Sequence, residues 1–286
     1  MMDKGVLENN VLKIEYHTSA LRITSLTPNG KPNLLAELKD APAFTTPYGD
    51  FHLRGGHRLW HAPEAMPRSY LPDDGQMRIT NLPDGVILEN NTEPGTGIRK
   101  QMKIQLSNDK PSAQITHTLF NDGLWPVELA AWAITMLRLG GAVILPMPVG
   151  NSDPAGLLPN RQISLWPYAR INDPRLKLGD DFIIFKAEAM LPPFKIGAYN
   201  PHGWIAYWID GILFRKSFEV HPDLPYPDYN CNAEIYCNDQ IVELESLGPL
   251  RPLLPGLSVS HVETWEVFDG LDAVPAEVQL AINLLR

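Results

Sequence analysis

Ile98-Arg99-Lys100-Gln101-Met102-Lys103-Ile104-Gln105-Leu106 is the stretch that decides the fold class of this 286-residue chain. Four of its five even-numbered positions are apolar, the exception being Lys100, and every odd-numbered position is polar. Strict alternation places the apolar side chains on one face of a β-strand and leaves the other face to solvent. The stretch therefore predicts an antiparallel strand with one buried face.

Alternating segments recur along the chain, and two of them flank a short turn. Trp204–Ile209 and Ile212–Phe218 are separated by Asp210-Gly211, a two-residue sequence typical of β-hairpins. A second hairpin is predicted from residues 233–237 and 240–247. We expect consecutive strands to pair antiparallel. The other alternating runs occupy residues 12–16, 113–120 and 259–268.

The composition favours one all-β domain spanning residues 1–286. Hydrophobic residues make up 44% of the chain, and its 27 prolines and 21 glycines are spread among many turns rather than gathered in a linker. Only the C-terminal segment predicts a helix, because Pro275 suits a first turn and an apolar stripe of helical spacing follows it. We expect an all-β antiparallel sandwich with a short C-terminal helix near residues 275–286.

Charge limits the classes of partner. A net charge of −9 and a pI near 5.4 argue against nucleic acid and anionic membranes, which attract clusters of Lys and Arg. The chain has neither a signal-peptide-like start nor a run of about 18 apolar residues, so a cytoplasmic protein is expected. We expect Cys231 and Cys237 to be reduced, buried thiols. The sequence does not indicate an oligomeric state.

Residues 55–64 read Gly-Gly-His-Arg-Leu-Trp-His-Ala-Pro-Glu, which places polar side chains behind two glycines. Paired glycines permit a sharp turn or a close approach to a ligand, so we predict a polar small-molecule site. A turn followed by a polar edge strand is the alternative. His57 and His61 share a face of an extended segment, and with Glu64 they offer the donor types of a metal site. That spacing is unspecific, and no metal or other cofactor is predicted.

Three further segments carry a resemblance to a known family. Residues 113–123 read Ala-Gln-Ile-Thr-His-Thr-Leu-Phe-Asn-Asp-Gly, residues 125–132 read Trp-Pro-Val-Glu-Leu-Ala-Ala-Trp, and residues 243–249 read Glu-Leu-Glu-Ser-Leu-Gly-Pro. Their order and spacing, together with the glycine pair, resemble the galactose mutarotase-like β-supersandwich, the fold of aldose 1-epimerases. The resemblance implies a sugar on a broad concave sheet. It also implies a carboxylate that takes the anomeric proton and an imidazole that protonates the ring oxygen.

The resemblance places the catalytic base at Glu245, on a late strand close to Pro249. Glu243 is two residues away and projects from the same strand face, although a solvated strand face is the alternative for both carboxylates. The acid departs from the family pattern, because Trp132 stands where the family has a histidine. We therefore expect His61 to act as the acid.

The remaining candidates are sugar-contacting side chains. Arg58 offers a planar fork of donors to a carboxylate, a phosphate or vicinal hydroxyls, with pairing to a neighbouring acid as the alternative. Trp132 and Trp60 offer rings to the face of a pyranose, with packing in the core as the alternative. The complete set predicted to bind substrate is His57, Arg58, Trp132, Tyr168, Lys195, Asp228, Glu234 and Glu243.

Three functions stay open at this point. The first is an epimerase-like isomerase that acts through Glu245 and a histidine. The second is a non-catalytic carbohydrate-binding protein that lost the acid when Trp132 took its place. The third is a structural or interaction domain. A small-molecule carbohydrate is the expected partner in the first two cases, and anomer exchange separates them.

Overall fold

The computed structural model describes residues 4–38 and 43–271, and nearly all of its regular structure is β-strand. The helix predicted near residues 275–286 lies outside the described residues. The described strands are β1 (Lys4–Glu8), β2 (Leu12–His17), β3 (Arg22–Pro28), β4 (Ala43–Thr46), β5 (Gly49–His52), β6 (His57–Ala62), β7 (Met77–Leu82), β8 (Gly85–Asn90), β9 (Ile98–Leu106), β10 (Ser112–Asn121), β11 (Val127–Arg138), β12 (Ala142–Pro146), β13 (Ile163–Leu165), β14 (Leu176–Leu178), β15 (Phe182–Lys186), β16 (Phe194–Ala198), β17 (Trp204–Ile209), β18 (Ile212–Phe218), β19 (Ala233–Cys237), β20 (Ile241–Leu247), β21 (Arg251–Leu253) and β22 (Ser258–Phe268). Short turns of helix occur at Arg68–Tyr70 and Pro227–Asn230.

Two ten-stranded antiparallel sheets account for most of this described part. The first sheet has the order β1-β2-β3-β6-β11-β20-β19-β16-β13, with β21 also pairing with β11. The second sheet has the order β14-β15-β12-β17-β18-β22-β10-β9-β8-β7. A separate hairpin joins β4 and β5. In the first sheet β11 lies between β6 and β20, so strands distant in sequence become neighbours.

One large hydrophobic core lies between the two sheets. Leu59 and Ile235 of the first sheet belong to the same buried cluster as Ile104 and Phe214 of the second sheet. Along β9 every even-numbered residue is buried and every odd-numbered residue is partly exposed, as the alternation predicted. The antiparallel all-β sandwich predicted from the sequence is therefore confirmed.

Both predicted hairpins are present. At the turn between β17 and β18, Asp210 and Gly211 have φ values of 51° and 75°, the left-handed backbone that two-residue hairpins require. β19 and β20 form the second hairpin, although β20 begins at Ile241. The Asn238 side-chain oxygen accepts hydrogen bonds from the backbone N–H groups of Gln240 and Ile241 at 2.8 and 2.9 Å. These bonds add to the backbone hydrogen bond that Asn238 N–H donates to the Ile241 oxygen at 3.1 Å, so the Asn238 side chain reinforces the turn.

Gly55 and Gly56 form the turn that leads into β6. Their φ values are 79° and 71°, and a Cβ atom at either position would lie 2.2 or 2.1 Å from a backbone oxygen, of Ala36 and Ile23 respectively. Only glycine fits here without movement of the backbone. The edge-strand alternative was wrong, because β6 is a central strand that pairs with both β3 and β11.

Cys231 and Cys237 are buried free thiols that form no disulfide, as expected. Burial raises the pKa of each thiol to about 12, so both are protonated at neutral pH. None of the helices in the described ranges is long and apolar enough to cross a membrane.

Candidate functional site

The outer face of the first sheet, the face turned away from the second sheet, brings together most of the residues predicted to form the site. Side chains alternate along each strand, so Arg58 of β6, Trp132 of β11 and Glu245 of β20 all project from this face. The strand register places Trp132 opposite Trp60 and Glu245 opposite Glu234. The outer face is therefore assembled by sheet pairing, not by nearness in sequence.

Four residues form the centre of the outer face, and we call them the Glu245 cluster: Glu245, Glu234, Lys195 and Trp132. Lys195 Nζ lies 2.8 Å from Glu234 Oε2 and 2.9 Å from Glu245 Oε2. The Trp132 indole N–H donates to the same Glu245 oxygen at 2.7 Å. Glu245 Oε1 has no hydrogen-bond partner among the described residues. One carboxylate oxygen is thus fixed by two donors, and the other is left to accept a bond.

The charges of this cluster are mutually dependent. Burial alone would lower the pKa of Lys195, but the carboxylates of Glu234 and Glu245 raise it well above its ordinary value. Burial, with Glu245 and Asp228 nearby, raises the pKa of Glu234 well above its ordinary value against the opposing effect of Lys195. At neutral pH Lys195 therefore carries a positive charge, and Glu234 binds its proton more tightly than a free carboxyl group does.

Arg58 and Glu243 form a second charged pair on the outer face. Arg58 Nη2 lies 3.3 Å from Glu243 Oε1, and the guanidinium stacks 4.3 Å from the centre of the Trp60 ring. Burial raises the pKa of Glu243 to about 7, although Arg58 acts in the opposite direction. Glu243 is consequently a carboxyl group that can donate a proton near neutral pH.

A strained turn supplies Asp228 to the same region. Asp228, Tyr229 and Asn230 have φ values of 53°, 60° and 70°, a left-handed conformation that costs about 1 kcal/mol or more per residue outside glycine. Ser164 Oγ donates to the Asp228 carbonyl at 3.0 Å and helps to hold the turn. Burial raises the pKa of the Asp228 carboxyl, with Lys195 opposing it. Strain of this kind concentrates at functional sites.

The Glu245 cluster is shielded from bulk solvent. Trp60 and Trp132 meet edge to face at 5.4 Å and are only 4% and 2% exposed. Lys195 Nζ lies 4.6 Å from the ring centres of both Trp132 and Trp166. Tyr168 is 39% exposed and close enough for Lys195 and Glu245 to influence its pKa, which burial raises. Tyr168 therefore lies at the rim of the site.

His57 and His61 do not face this cluster. They share a strand face, as expected, but it is the inner one: His61 Nε2 lies 3.4 Å from Glu93, and His57 Nε2 lies 2.7 Å from His117 of the second sheet. Odd and even residues of β6 project in opposite directions, so His61 and Arg58 are on opposite sides of the sheet. The expectation that His61 meets Glu245 across a sugar was wrong for this reason.

His57 belongs to a hydrogen-bond chain between the two sheets. Lys216 Nζ donates to Thr135 Oγ1 at 3.0 Å, and Thr135 Oγ1 lies 2.9 Å from His57 Nδ1. His117 Nδ1 lies 3.2 Å from the backbone oxygen of His261, which can only accept. His117 therefore carries its proton on Nδ1, and His57 donates from Nε2 to His117. Burial lowers the pKa of both imidazoles, which keeps them neutral.

The metal site considered from the sequence is not assembled, because Glu64 is exposed and its carboxylate accepts a hydrogen bond from Tyr70. Among the described residues, His57, His117 and Glu263 instead bring ligand-type atoms within 4.8 Å of one another. Lys216 Nζ lies 2.7 Å from Glu263 Oε1 and supplies positive charge there. Both imidazoles are also hydrogen-bonded. The charges and polar atoms of this interior cluster are therefore already paired with one another.

Sequence reasoning missed the charged groups buried between the sheets. Lys100 in β9, Lys216 in β18 and Glu263 in β22 each occupy the apolar phase of an alternating strand. A charge in that phase needs a buried partner. Lys100 pairs with Glu93 at 2.5 Å, and Lys216 pairs with Glu263. A charged residue at one of the apolar positions of an alternating strand is the sequence signal that could have identified these groups.

No protein-family model matches the sequence, and no curated protein matches it. Solved structures do match. A proposed aldose 1-epimerase from Escherichia coli K12 has a TM-score of 0.59 over 94% of this chain and 100% of its own, at 13% identity. A galactose mutarotase-like protein from Lactobacillus casei has a TM-score of 0.61 over 93% of this chain and 100% of its own, at 10% identity.

A third similar structure is a TPR-domain containing protein from Parabacteroides distasonis, with a TM-score of 0.62 over 96% of this chain and 49% of its own, at 14% identity. The chain has the galactose mutarotase-like fold, which confirms the resemblance drawn from its sequence. Identities of this size show the fold alone, so activity must be argued from the site.

Proposed function

We propose that this chain binds a carbohydrate on the outer face of its first sheet and interconverts the anomers of that sugar, as an aldose 1-epimerase-like isomerase. The observation that carries the proposal is the setting of Glu245. Its Oε2 is held by Lys195 and Trp132, while its Oε1 has no hydrogen-bond partner in the described part of the chain. A carboxylate fixed in this way is oriented to accept a proton from a bound hydroxyl. The galactose mutarotase-like fold supports the same substrate class.

The reaction needs one base and one acid. Glu245 takes the proton of the anomeric hydroxyl, the bond between C1 and the ring oxygen breaks, and the ring oxygen receives a proton from the acid. The open-chain aldehyde then rotates about its C1–C2 bond and closes on the other face. Each proton is returned on closure, so the reaction is an isomerisation without a redox step.

Glu243 is the acid that the outer face offers in place of His61. It lies two residues from Glu245 on the same strand face, a separation of about 7 Å, which is enough to span a pyranose ring. Its pKa of about 7 keeps a substantial protonated fraction at neutral pH. Arg58, 3.3 Å away, orients the carboxyl group.

The charges of the outer face favour an uncharged sugar. The carboxyl groups of Asp228, Glu234, Glu243 and Glu245 outnumber the cations Arg58 and Lys195, and each cation is already paired. A phosphate or a uronate would have to break these pairs and would meet an excess of carboxyl groups. Neutral aldoses are therefore the proposed substrates.

A non-catalytic carbohydrate-binding protein is the second candidate, and one observation favours it. Trp132 occupies the place at which the family resemblance implies an imidazole, and its N–H donates to the proposed base. The same cluster then serves to hold sugar hydroxyls without moving a proton.

A panel of neutral aldoses, sugar phosphates and uronic acids separates these functions. Binding is followed by thermal shift, because a ligand specific for the native state raises the unfolding temperature. Anomer exchange is followed by NMR saturation transfer on the same samples. We expect binding and exchange with at least one neutral aldose. Binding with exchange at the uncatalysed rate leaves only the second candidate, and no binding by any sugar removes both.

A further inference from the structure

A cavity lies on the opposite side of β6 from Glu245. Its volume is about 270 Å³, and it is lined by Tyr48, His61, Arg68 and the apolar side chains of Ile98 and Leu129 among others. Ile98 belongs to the second sheet and Leu129 to the first, and both are core residues, so the cavity enters the sandwich between its sheets. Tyr48 is 47% exposed, which places the opening at its side chain.

His61 presents an acceptor nitrogen that lacks a partner. Lys100 Nζ lies 2.5 Å from Glu93 Oε1, and Thr96 Oγ1 donates to Glu93 Oε2 at 2.6 Å. This fixed carboxylate lies 3.4 Å from His61 Nε2 and favours the proton on that nitrogen. The other ring nitrogen, Nδ1, then carries a lone pair. It is buried and has no hydrogen-bond partner in residues 4–38 and 43–271.

Arg68 brings positive charge without a neutralising carboxylate. One guanidinium nitrogen, Nη2, donates to the backbone oxygen of Pro63, whereas Nε is buried with no hydrogen-bond partner within the described ranges. The same described part of the chain contains no acid paired with Arg68. A planar guanidinium in this state is suited to a carboxylate, which can accept two parallel hydrogen bonds.

We propose that this cavity, which we call the His61 cavity, is a binding site for a small hydroxycarboxylic acid with an apolar body. The ligand hydroxyl donates to His61 Nδ1, the ligand carboxylate accepts from Arg68, and the ring or chain between them packs on Ile98 and Leu129. Each unpartnered polar atom is thereby satisfied, which removes the cost of leaving it buried and unbonded. The site is independent of the proposed sugar site, because it opens on the other face of the sheet.

The size of the cavity is consistent with this class of ligand. A dry protein cavity of about 150 Å³ accepts benzene, so about 270 Å³ has room for one six-membered ring with two polar substituents. The walls are largely apolar with few polar groups, as is usual for small-molecule sites. We therefore choose 3-hydroxybenzoate and 4-hydroxybenzoate as probes, with benzoate and phenol as the matched compounds that lack one polar group each.

Isothermal titration of the full chain with these four compounds tests the proposal. We expect one hydroxybenzoate to bind at least tenfold more tightly than benzoate and phenol. Arg68→Gln should lower the affinity for that hydroxybenzoate at least tenfold and leave the affinity for phenol unchanged. Arg170→Gln, the same change at an exposed arginine of another loop, should alter neither.

The His61 contact is checked without a variant, because a substitution at this buried residue could prevent folding. The ¹⁵N signal of His61 Nδ1 should move on saturation with the hydroxybenzoate and stay in place with benzoate. Absence of saturable binding by either hydroxybenzoate overturns the proposal. So does equal affinity for benzoate, an unchanged affinity in Arg68→Gln, or an Nδ1 signal that does not respond.

Discussion

The indole N–H of Trp132 donates to Glu245 Oε2 at 2.7 Å, across the ladder between β11 and β20. The family resemblance placed a histidine at the position of Trp132, and in this chain that position holds the proposed base instead of supplying the acid. The bond leaves Glu245 Oε1, which is buried and has no hydrogen-bond partner among the described residues, as the proposed proton acceptor. The acid then has to come from another residue of the outer face, which is why Glu243 takes that role in our proposal.

Lys195 should be essential for stability, because it lies between two buried carboxyl groups. Replacing it in Lys195→Met leaves Glu234 and Glu245 facing each other without a cation, and we expect the free energy of unfolding to fall by about 3–5 kcal/mol. The matched change Lys186→Met, at an exposed lysine of β15, should cost less than about 0.5 kcal/mol. Urea unfolding at pH 7 measures both.

A second variant tests the cause of this loss. Adding Glu234→Gln to Lys195→Met removes one of the two facing carboxyl groups and should restore part of the lost stability. Equal stability of the single and double variants would contradict the electrostatic explanation.

Anomer exchange should decline as the pH rises through about 7, because Glu243 must be protonated to act as the acid and its pKa is about 7. Arg58 lowers that pKa, so Arg58→Gln should move the decline to higher pH. The ¹³C signal of the Glu243 carboxyl reports the same titration even when exchange is slow. A carboxyl that titrates near its ordinary value of about 4.3 would exclude Glu243 as the acid.

The turn before β6 should tolerate only glycine. Gly56→Ala places a Cβ atom 2.1 Å from the backbone oxygen of Ile23, and we expect a loss of at least about 3 kcal/mol in the free energy of unfolding. Gly30 has the same φ of 71° with open space around it, so Gly30→Ala should cost only about 1 kcal/mol. Similar losses in the two variants would show that the close contact is unimportant.

Much of the fold could be predicted from local patterns. The alternation of residues 98–106 and the turn at Asp210-Gly211 specify a strand and a hairpin through interactions between near neighbours, and both are present. The single domain over residues 1–286 stays a prediction, although one core shared by both sheets supports a single cooperative unfolding transition. Calorimetry would count those transitions directly.

The site was only partly predictable, because it depends on which strands pair. Glu245, Lys195 and Trp132 were identified as candidates, but their contacts come from the ladders β11–β20, β19–β20 and β16–β19. His61 shows the limit most clearly. Its nearness to Arg58 in sequence suggested a common site, while the strand period of two sends the two side chains to opposite faces. Sequence spacing shows whether two residues of a strand share a face. Only the packing of the sheet shows which of the two faces is turned towards a ligand.

The most direct test of the account compares Glu245→Gln with Glu128→Gln, the same change at an exposed residue of β11. With the neutral aldose that binds most tightly, Glu245→Gln should lower the rate of anomer exchange by about two to four orders of magnitude, because it removes the base and keeps the shape. Sugar affinity should be largely retained, and Glu128→Gln should exchange anomers at the wild-type rate. Saturation-transfer NMR, with the uncatalysed rate subtracted, measures all three proteins. Exchange that is unchanged in Glu245→Gln, or wild-type exchange no faster than the uncatalysed rate, would contradict the proposed catalysis.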